Sequence, residues 1–118
     1  MSPADFEAIK LKLRAFAKER DWDQYHSPKN LAMALVAEAG ELVERFQWLT
    51  EQQSQALSEA DLAKVGEEIA DIQIYLIRLV DRLGLDLHKE VLLKIQQNER
   101  KYPADRVRGS AKKYSEYE

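Results

Sequence analysis

The stretch SEADLAKVGEEIADIQIYLIRLVDRLG, residues 58–84, decides the fold class. It opens with Ser58, a favourable N-cap followed by an acidic first turn, and it closes on Gly84, a residue typical of helix C-termini. The second half of the stretch is apolar on nearly every side of a helical wheel, which indicates a helix packed between two surfaces. In so short a chain the second surface can belong to another subunit. The stretch therefore predicts a long central helix.

Three further helices are predicted around this central one. Ser2 is a plausible N-cap with Pro3 at the first helical position, and apolar residues recur after it at spacings of three and four. The predicted bounds are residues 3–19, residues 27 or 28 to 48 or 49, and residues 86–102, with residues 50–58 as a polar loop. We therefore expect an all-α fold, a compact bundle of about four helices completed by oligomerisation. The domain should occupy residues 1–103, and residues 104–118 should form a C-terminal tail.

Composition narrows the function classes. The 118 residues suffice for one domain, and 45% hydrophobic with 33% charged residues is a globular balance. The absence of Cys excludes disulfides and thiolate metal sites. The chain contains no run of 18 apolar residues, so no membrane span is predicted. The N-terminus shows no secretory signal. A cytoplasmic protein without a membrane association is the expectation.

The net charge of −3 is unevenly distributed along the chain. Residues 38–71 contain nine acidic and two basic residues, whereas residues 94–113 contain seven basic and two acidic ones. An acidic centre with a basic end suits a metal–phosphate ligand, because carboxylates hold the cation while Lys and Arg hold the anion. The alternative is a solvated helix face followed by a polar tail.

Two pairs of carboxylates are candidates for a metal site. Glu38 and Glu41 lie three residues apart on the second helix, and Glu68 and Asp71 have the same spacing on the third, so each pair shares one side of its helix. On a helical wheel Glu38 falls in the centre of the apolar stripe, which is costly unless the carboxylate is paired or binds a metal. Glu41 lies on the flank of that stripe. By pattern alone, Asp71 points away from the apolar side of its helix and reads as a solvated residue.

The ligand type limits the choice of metal. Carboxylate oxygens suit Mg²⁺, Mn²⁺ or Ca²⁺. Di-iron helical bundles require Glu-x-x-His pairs, and neither His26 nor His88 follows a Glu at that spacing. No Gly-rich phosphate loop is present, which excludes P-loop chemistry.

Together with their surroundings, these carboxylates resemble a known signature. Glu38-x-x-Glu41 followed by Glu68-x-x-Asp71 is similar to the motif of the all-α nucleoside triphosphate pyrophosphohydrolases. The surrounding segments strengthen the match: RDWDQYHSPKNL at 20–31, FQW at 46–48, Lys94, Asn98, Tyr102-Pro103 and Lys112-Lys113-Tyr114. Over nearly its whole length the chain resembles the dCTP pyrophosphatase branch of the MazG-like superfamily.

The resemblance implies an obligate homodimer or homotetramer that hydrolyses a nucleoside triphosphate to monophosphate and pyrophosphate. Mg²⁺ would be the cofactor, with Mn²⁺ as a substitute. The implied metal ligands are Glu38, Glu41, Glu68 and Asp71, with Glu41 as the candidate general base. The implied substrate-binding residues are Trp22, His26, Trp48, Lys94, Asn98, Lys101 and Tyr102. Lys94, Asn98, Lys101 and Tyr102 share one side of the fourth helix, and Trp and Tyr offer faces for base stacking.

One departure leaves the base open. Vertebrate-like members of the branch carry a ligand-contacting His in the first helix, where this chain has Leu13. The expected substrate is dCTP or a modified dCTP, with dUTP or a damaged nucleotide as the alternative. From a different class, a non-catalytic helical nucleotide-binding or scaffold module remains an alternative, in which Trp22 and Trp48 are core anchors. Nucleic-acid binding is not expected, given the net negative charge and the absence of a recognisable motif.

Overall fold

The computed structural model describes residues 1–116, and within this part of the chain every regular element is helical. The elements are α1 (Pro3–Glu19), a 3₁₀ turn (Asp23–Tyr25), α2 (Pro28–Glu44), α3 (Glu51–Ser54), α4 (Glu59–Leu83), α5 (Leu87–Lys101), α6 (Ala104–Val107) and a second 3₁₀ turn (Tyr114–Glu116). The prediction of an all-α fold is confirmed. The chain divides into two compact units, Met1–Gly84 and the segment from Leu85 onward.

Local capping determines where α1 begins, and a left-handed residue follows its end. The Ser2 hydroxyl accepts from the Asp5 N–H at 3.1 Å, and the Asp5 carboxylate accepts from the Ser2 N–H at 3.2 Å. This reciprocal pair satisfies two N–H groups that the first turn would leave free. After α1, Asp21 adopts a φ of 54°, a left-handed conformation that Asp tolerates better than most residues. The chain then enters the 3₁₀ turn that carries Asp23.

The second helix is shorter than predicted. We expected α2 to reach Trp48 or Leu49, but it ends at Glu44. The backbone N–H groups of Arg45 and Phe46 bond to carbonyls three residues earlier, at 3.1 and 3.0 Å, so the helix gives way to tighter turns.

The segment predicted as a polar loop contains the short helix α3. Thr50 and Gln53 form a capping box there, with bonds of 3.1 and 2.9 Å. The prediction of an unbroken loop over residues 50–58 was therefore wrong.

The central helix α4 organises the first unit. Its predicted bounds are confirmed, since Ser58 caps it and Gly84 ends it with a φ of 66°. Both α2 and α1 pack against α4, and the α2 contact is the more extensive. The most deeply buried apolar side chains come from all three helices: Ala17, Leu31, Val65, Ile77 and Val80. This core holds α2 and α4 side by side and so brings their polar residues together.

The second unit consists of α5 and the residues that follow it. Asp86 caps α5 through a bond from the Lys89 N–H at 3.1 Å, and the helix ends at Lys101, one residue before the predicted end. The predicted tail contains the single-turn helix α6, and the rings of Tyr102 and Tyr114 meet edge to face at 5.9 Å. Within residues 1–116, no helix has both the length and the apolar character that crossing a membrane requires.

Candidate metal and nucleotide site

Three of the four predicted carboxylates converge between α2 and α4. Glu38, Glu41 and Glu68 each contribute an oxygen to a group whose atoms all lie within 4.8 Å of one another. We call these three residues the acid cluster. Asp71 is not part of this group, although it lies one turn from Glu68 on α4. The i, i+3 spacing on α2 and the packing of α2 on α4 together produce the convergence.

The acid cluster is short of positive charge and of hydrogen-bond donors. Glu68 is only 7% exposed, and its Oε1 accepts from Arg45 Nη2 at 3.2 Å. Its Oε2, like Oε2 of Glu38, is buried and has no hydrogen-bond partner among residues 1–116. Burying a carboxylate oxygen without a partner is costly. Oxygen ligands of this kind fit a hard divalent cation, so the acid cluster could hold a metal ion.

Crowding of the carboxylates changes the proton affinity of Glu41. Hydrogen bonding to Glu38 and Glu68, reinforced by their negative charge, raises the pKa of Glu41 to about 7. A carboxyl group so close to two other carboxylates holds its proton more tightly than an isolated one does. A group with a pKa near neutrality is suited to accept a proton from water. A bound cation would first displace the proton that Glu41 holds in the metal-free protein.

A cavity of about 240 Å³ adjoins the acid cluster, and Glu38 belongs to both. We call it the aromatic cavity. Its apolar lining comes from α1, from the segment between α1 and α2, and from α4. It includes Leu13, Phe16, Trp22, Ile74 and Tyr75. Its polar lining consists of the side chains of His26, Glu38, Asp71 and Arg78, together with the polar atoms of the aromatic residues.

The aromatic rings around this cavity brace one another. Trp22 meets Phe16 edge to face with centroids 5.6 Å apart, and it meets His26 at 6.4 Å. Two of the substrate-binding residues implied by the resemblance, Trp22 and His26, therefore lie at one cavity. Trp48 is 87% exposed and is not among the residues that line it. Aromatic faces of this kind can hold a planar base by stacking.

The remaining predicted substrate residues lie in the second unit. Lys94, Asn98 and Lys101 are exposed on α5, and Tyr102 follows the end of that helix. The Lys101 ammonium lies 5.5 Å from the centre of the Tyr114 ring. Three of the four residues thus lie on one helix as predicted, Tyr102 is its C-cap, and their contact with substrate stays a prediction.

Sequence reasoning missed two residues of the cavity, Arg78 and Tyr75. Arg78 is only 4% exposed. The sequence does contain a sign that Arg78 is buried. It is a permanent charge between Ile77 and Leu79, on a part of the helix that is apolar nearly all round. A charge in such a place needs dedicated partners.

Comparison with known proteins places this site in a family. Residues 33–117 match the model of the MazG-like family, and this span contains all three residues of the acid cluster. The chain belongs to the MazG-like family. Its fold is similar to the crystal structure of a pyrophosphatase from Archaeoglobus fulgidus, with a TM-score of 0.78 and 41% identity over 82% of this chain and 91% of that one. The predicted MazG-like fold is thereby confirmed.

This MazG-like chain also has curated relatives. It is 45% identical to dCTP pyrophosphatase 1 of Bos taurus over 117 residues, which cover 98% of this chain and 69% of the relative. It is 48% identical to dCTP pyrophosphatase 1 of Homo sapiens over 103 residues, or 86% of this chain and 61% of the relative. The chain thus spans between 61% and 69% of the length of these relatives.

Proposed function

We propose that this protein is a nucleoside triphosphate pyrophosphohydrolase that releases a monophosphate and pyrophosphate. The observation that carries the proposal is that Glu38 belongs to both the acid cluster and the aromatic cavity. A cation-binding group thus lies beside a pocket of a size and lining suited to a base. The relatives whose names specify dCTP pyrophosphatase, and the structural neighbour described as a pyrophosphatase, support the same reaction.

In this mechanism the acid cluster binds the cation and handles the proton. Mg²⁺, for which Mn²⁺ can substitute, neutralises triphosphate charge and activates water when it is bound. Glu38, Glu41 and Glu68 would hold it, and the buried oxygens of Glu38 and Glu68 have no hydrogen-bond partner among residues 1–116. Asp71 is proposed as the fourth ligand. Glu41, the most exposed of the acid cluster, accepts the proton of the attacking water as a general base. Attack at the α-phosphorus leaves pyrophosphate as the departing group.

The aromatic cavity is proposed to receive the base, with Trp22 and His26 enclosing the nucleoside. Five further residues are proposed to complete the substrate site: Trp48, then Lys94, Asn98 and Lys101 on α5, and Tyr102 at its C-cap. The preferred substrate is dCTP or a modified dCTP, supported by the names of the curated relatives. Leu13 lines the cavity where vertebrate-like members are expected to carry a His, so another pyrimidine or a damaged base is the alternative.

The assembly is proposed to be a homodimer or homotetramer. Large apolar side chains on α2 and α4 are exposed in the single chain, as in Val36, Val43, Leu62 and Ile69. Apolar exposure on this scale is typical of surfaces that a second copy covers. A cytoplasmic location, a domain boundary at residue 103 and the absence of nucleic-acid or membrane partners stay predictions from the sequence.

The test is a product analysis of the purified protein. It is incubated with a panel of canonical and modified nucleoside triphosphates, with Mg²⁺, with Mn²⁺ and with EDTA, and the products are separated by ion exchange. We expect metal-dependent monophosphate and pyrophosphate in equal amounts. The Glu68→Gln variant should lose the activity, because it keeps the shape of the residue but removes a charge from the acid cluster.

The other outcomes decide between the alternatives. Nucleoside diphosphate with orthophosphate would mean attack at a different phosphorus and would exclude a pyrophosphohydrolase. A folded protein that binds nucleotides in calorimetry but hydrolyses none would be a binding module. Glu99→Gln, an exposed carboxylate on α5 outside the acid cluster, serves as the matched control and should retain full activity.

A further inference from the structure

Two polar residues of the aromatic cavity play no part in cation binding. Arg78 and His26 lie together on its lining, and we call this pair the basic wall. Arg78 is 4% exposed, yet its guanidinium stays charged at any physiological pH. A buried permanent cation persists only where its partners are arranged around it. Those partners show what the residue does.

Two carboxylates compensate the charge of Arg78. Its Nη2 donates to Asp23 Oδ1 at 3.0 Å, and its Nη1 lies 3.6 Å from Asp81 Oδ2. Asp23 belongs to the 3₁₀ turn after α1, so this contact ties that turn to α4. Charge balance explains why Arg78 can be buried, but it does not explain the third contact.

The third contact is with the imidazole of His26. Nε and Nη2 of Arg78 lie 3.4 and 3.3 Å from Nδ1 of His26. A guanidinium has donors only, so Nδ1 must be the acceptor and the proton of the neutral ring must sit on Nε2. Burial, and next the positive charge of Arg78, lower the pKa of His26, which keeps the ring neutral at neutral pH. The imidazole is thereby fixed as an Nε2–H donor.

We propose that Arg78 is a specificity-determining residue, which holds His26 as an Nε2–H donor so that the basic wall selects a base with a carbonyl oxygen. The proposal rests on the proposed function, since it assigns the aromatic cavity to the base. Leu13 offers no polar group on the α1 side of the cavity. Of the other polar groups on the lining, the carboxylates of Glu38 and Asp71 are assigned to the cation and cannot donate to a carbonyl oxygen. The basic wall, whose groups can only donate, is therefore left to meet the base edge beside the polar atoms of Trp22 and Tyr75. Cytosine carries one carbonyl oxygen, uracil carries two, and adenine carries none.

The test replaces the carbonyl oxygen and the residue in turn. Hydrolysis of dCTP is compared with that of 2-thio-dCTP, in which a weakly accepting sulfur takes the place of the oxygen. We expect kcat/KM of the wild-type protein to fall about tenfold, the cost of one charge-assisted or buried hydrogen bond. In Arg78→Gln the same exchange should cost less than about threefold, since the donor is no longer held in place. If dUTP is the better substrate, its 2-thio and 4-thio analogues are used instead.

Arg82→Gln is the matched control. Arg82 lies one turn further along α4, and its Nε donates to the backbone carbonyl of His26 at 3.1 Å, but it does not line the aromatic cavity. This variant should keep the tenfold response to sulfur. An equal response in wild-type and Arg78→Gln proteins would overturn the proposal, because the size of sulfur acts on both alike.

The tautomer of His26 is measured independently of turnover and of any variant of Arg78. Proteins labelled with ¹⁵N-histidine, wild-type and His88→Gln, give the imidazole shifts of His26 without ambiguity. A protonated Nε2 with a bare Nδ1 is expected at neutral pH, and the reverse tautomer or a charged ring would overturn the proposal. Should Arg78→Gln fail to fold, Arg78→Lys takes its place. It keeps a cation near Asp23 and Asp81 but loses the paired guanidinium donors to His26, so the fall in kcat/KM with the thio analogue should again be smaller than in the wild type. Absence of hydrolysis by wild-type protein would instead reject the proposed function, while the tautomer would still be read.

Discussion

The two halves of α4 handle buried charge in opposite ways. Near its middle, Glu68 meets Glu38 and Glu41 with Arg45 as the one cation bonded to the cluster within residues 1–116. Nearer its end, Arg78 and Asp81 form a network in which guanidinium and carboxylate groups are equal in number, because Arg14 and Asp23 join it.

We call this second group the ionic network. All of its charges are matched by charges within residues 1–116, whereas two oxygens of the acid cluster have no hydrogen-bond partner in that part of the chain. Matched charge is consistent with a structural role, since it needs nothing from outside. Unmatched charge on the same helix persists because a ligand can complete it. The comparison therefore separates a charged group that the chain completes by itself, although its Arg78 also lines the aromatic cavity, from one that a cation could complete.

The largest expected effect comes from neutralising one member of the acid cluster. Glu38→Gln should lower kcat/KM by about a thousandfold or more, because a cation ligand is lost. The same change should leave the metal-free protein as stable as the wild type or raise its stability by up to about 1 kcal/mol, since it removes one negative charge from three crowded carboxylates and places an amide donor beside the other two. Steady-state kinetics and urea unfolding in EDTA measure the two effects.

Glu44→Gln is the control for this variant, since Glu44 is exposed at the end of the same helix. It should change neither quantity. A large loss of metal-free stability in Glu38→Gln would show that the carboxylate is a structural partner, and the comparison between the two halves of α4 would fail.

The ionic network should show the reverse pattern. Asp81 accepts two bonds from Arg14, at 2.7 and 2.6 Å, and is nearly buried. Asp81→Asn should lower the free energy of unfolding by about 2–3 kcal/mol, because Arg78 then keeps only one carboxylate. Arg14 itself is half exposed, so solvent screens its share of that loss. Urea unfolding measures this free energy. The control is Glu7→Gln, which removes an ion pair with Lys10 on the surface and should change the free energy of unfolding by less than about 0.5 kcal/mol.

The pH dependence of this difference gives a second measurement. The hydrogen bonds and charge of Arg14 lower the pKa of Asp81, with burial acting against them. A carboxyl group with a lowered pKa stabilises the fold above the pKa of the unfolded chain and loses that contribution as the pH falls through the folded value. The gap between wild-type and Asp81→Asn proteins should therefore close in acid. A gap that is unchanged at low pH would mean that charge is not what Asp81 contributes.

Several helix bounds could be predicted from the sequence, because the residues that determine them are local. The caps at Ser2 and Ser58 and the stop at Gly84 lie beside the helices that they bound, and those bounds were correct. The end of α2 was missed because Phe46 and Leu49 continue the apolar spacing into tight turns, and no Gly marks the end.

The site divides along the same line. The i, i+3 spacing placed Glu38 and Glu41 together, and the apolar position of Glu38 indicated its burial. Glu68 appeared only at the edge of its stripe, since its burial depends on how α2 packs on α4. Two partners of Arg78, Asp23 and His26, lie more than fifty residues away along the chain, and no local pattern reveals such a contact.

The smallest expected effect is the linkage between proton and cation at Glu41. Its neighbours raise its pKa from the ordinary 4.5 to about 7, so the metal-free fold holds a proton there that the unfolded chain has released. Metal-free stability should accordingly fall as the pH rises through that window. The apparent affinity for Mg²⁺ should rise over the same window, by up to about tenfold per pH unit, and level off above it, because the cation must displace the proton.

Isothermal titration calorimetry in two buffers of different ionisation enthalpy counts the protons released. Below pH 7 we expect close to one proton per cation, and in Glu41→Gln we expect none. Proton release that is unchanged in Glu41→Gln would move the shared proton to Glu38 or Glu68. The acid cluster would then still be the unbalanced half of α4, but Glu41 would no longer be the group whose proton affinity is matched to a general base.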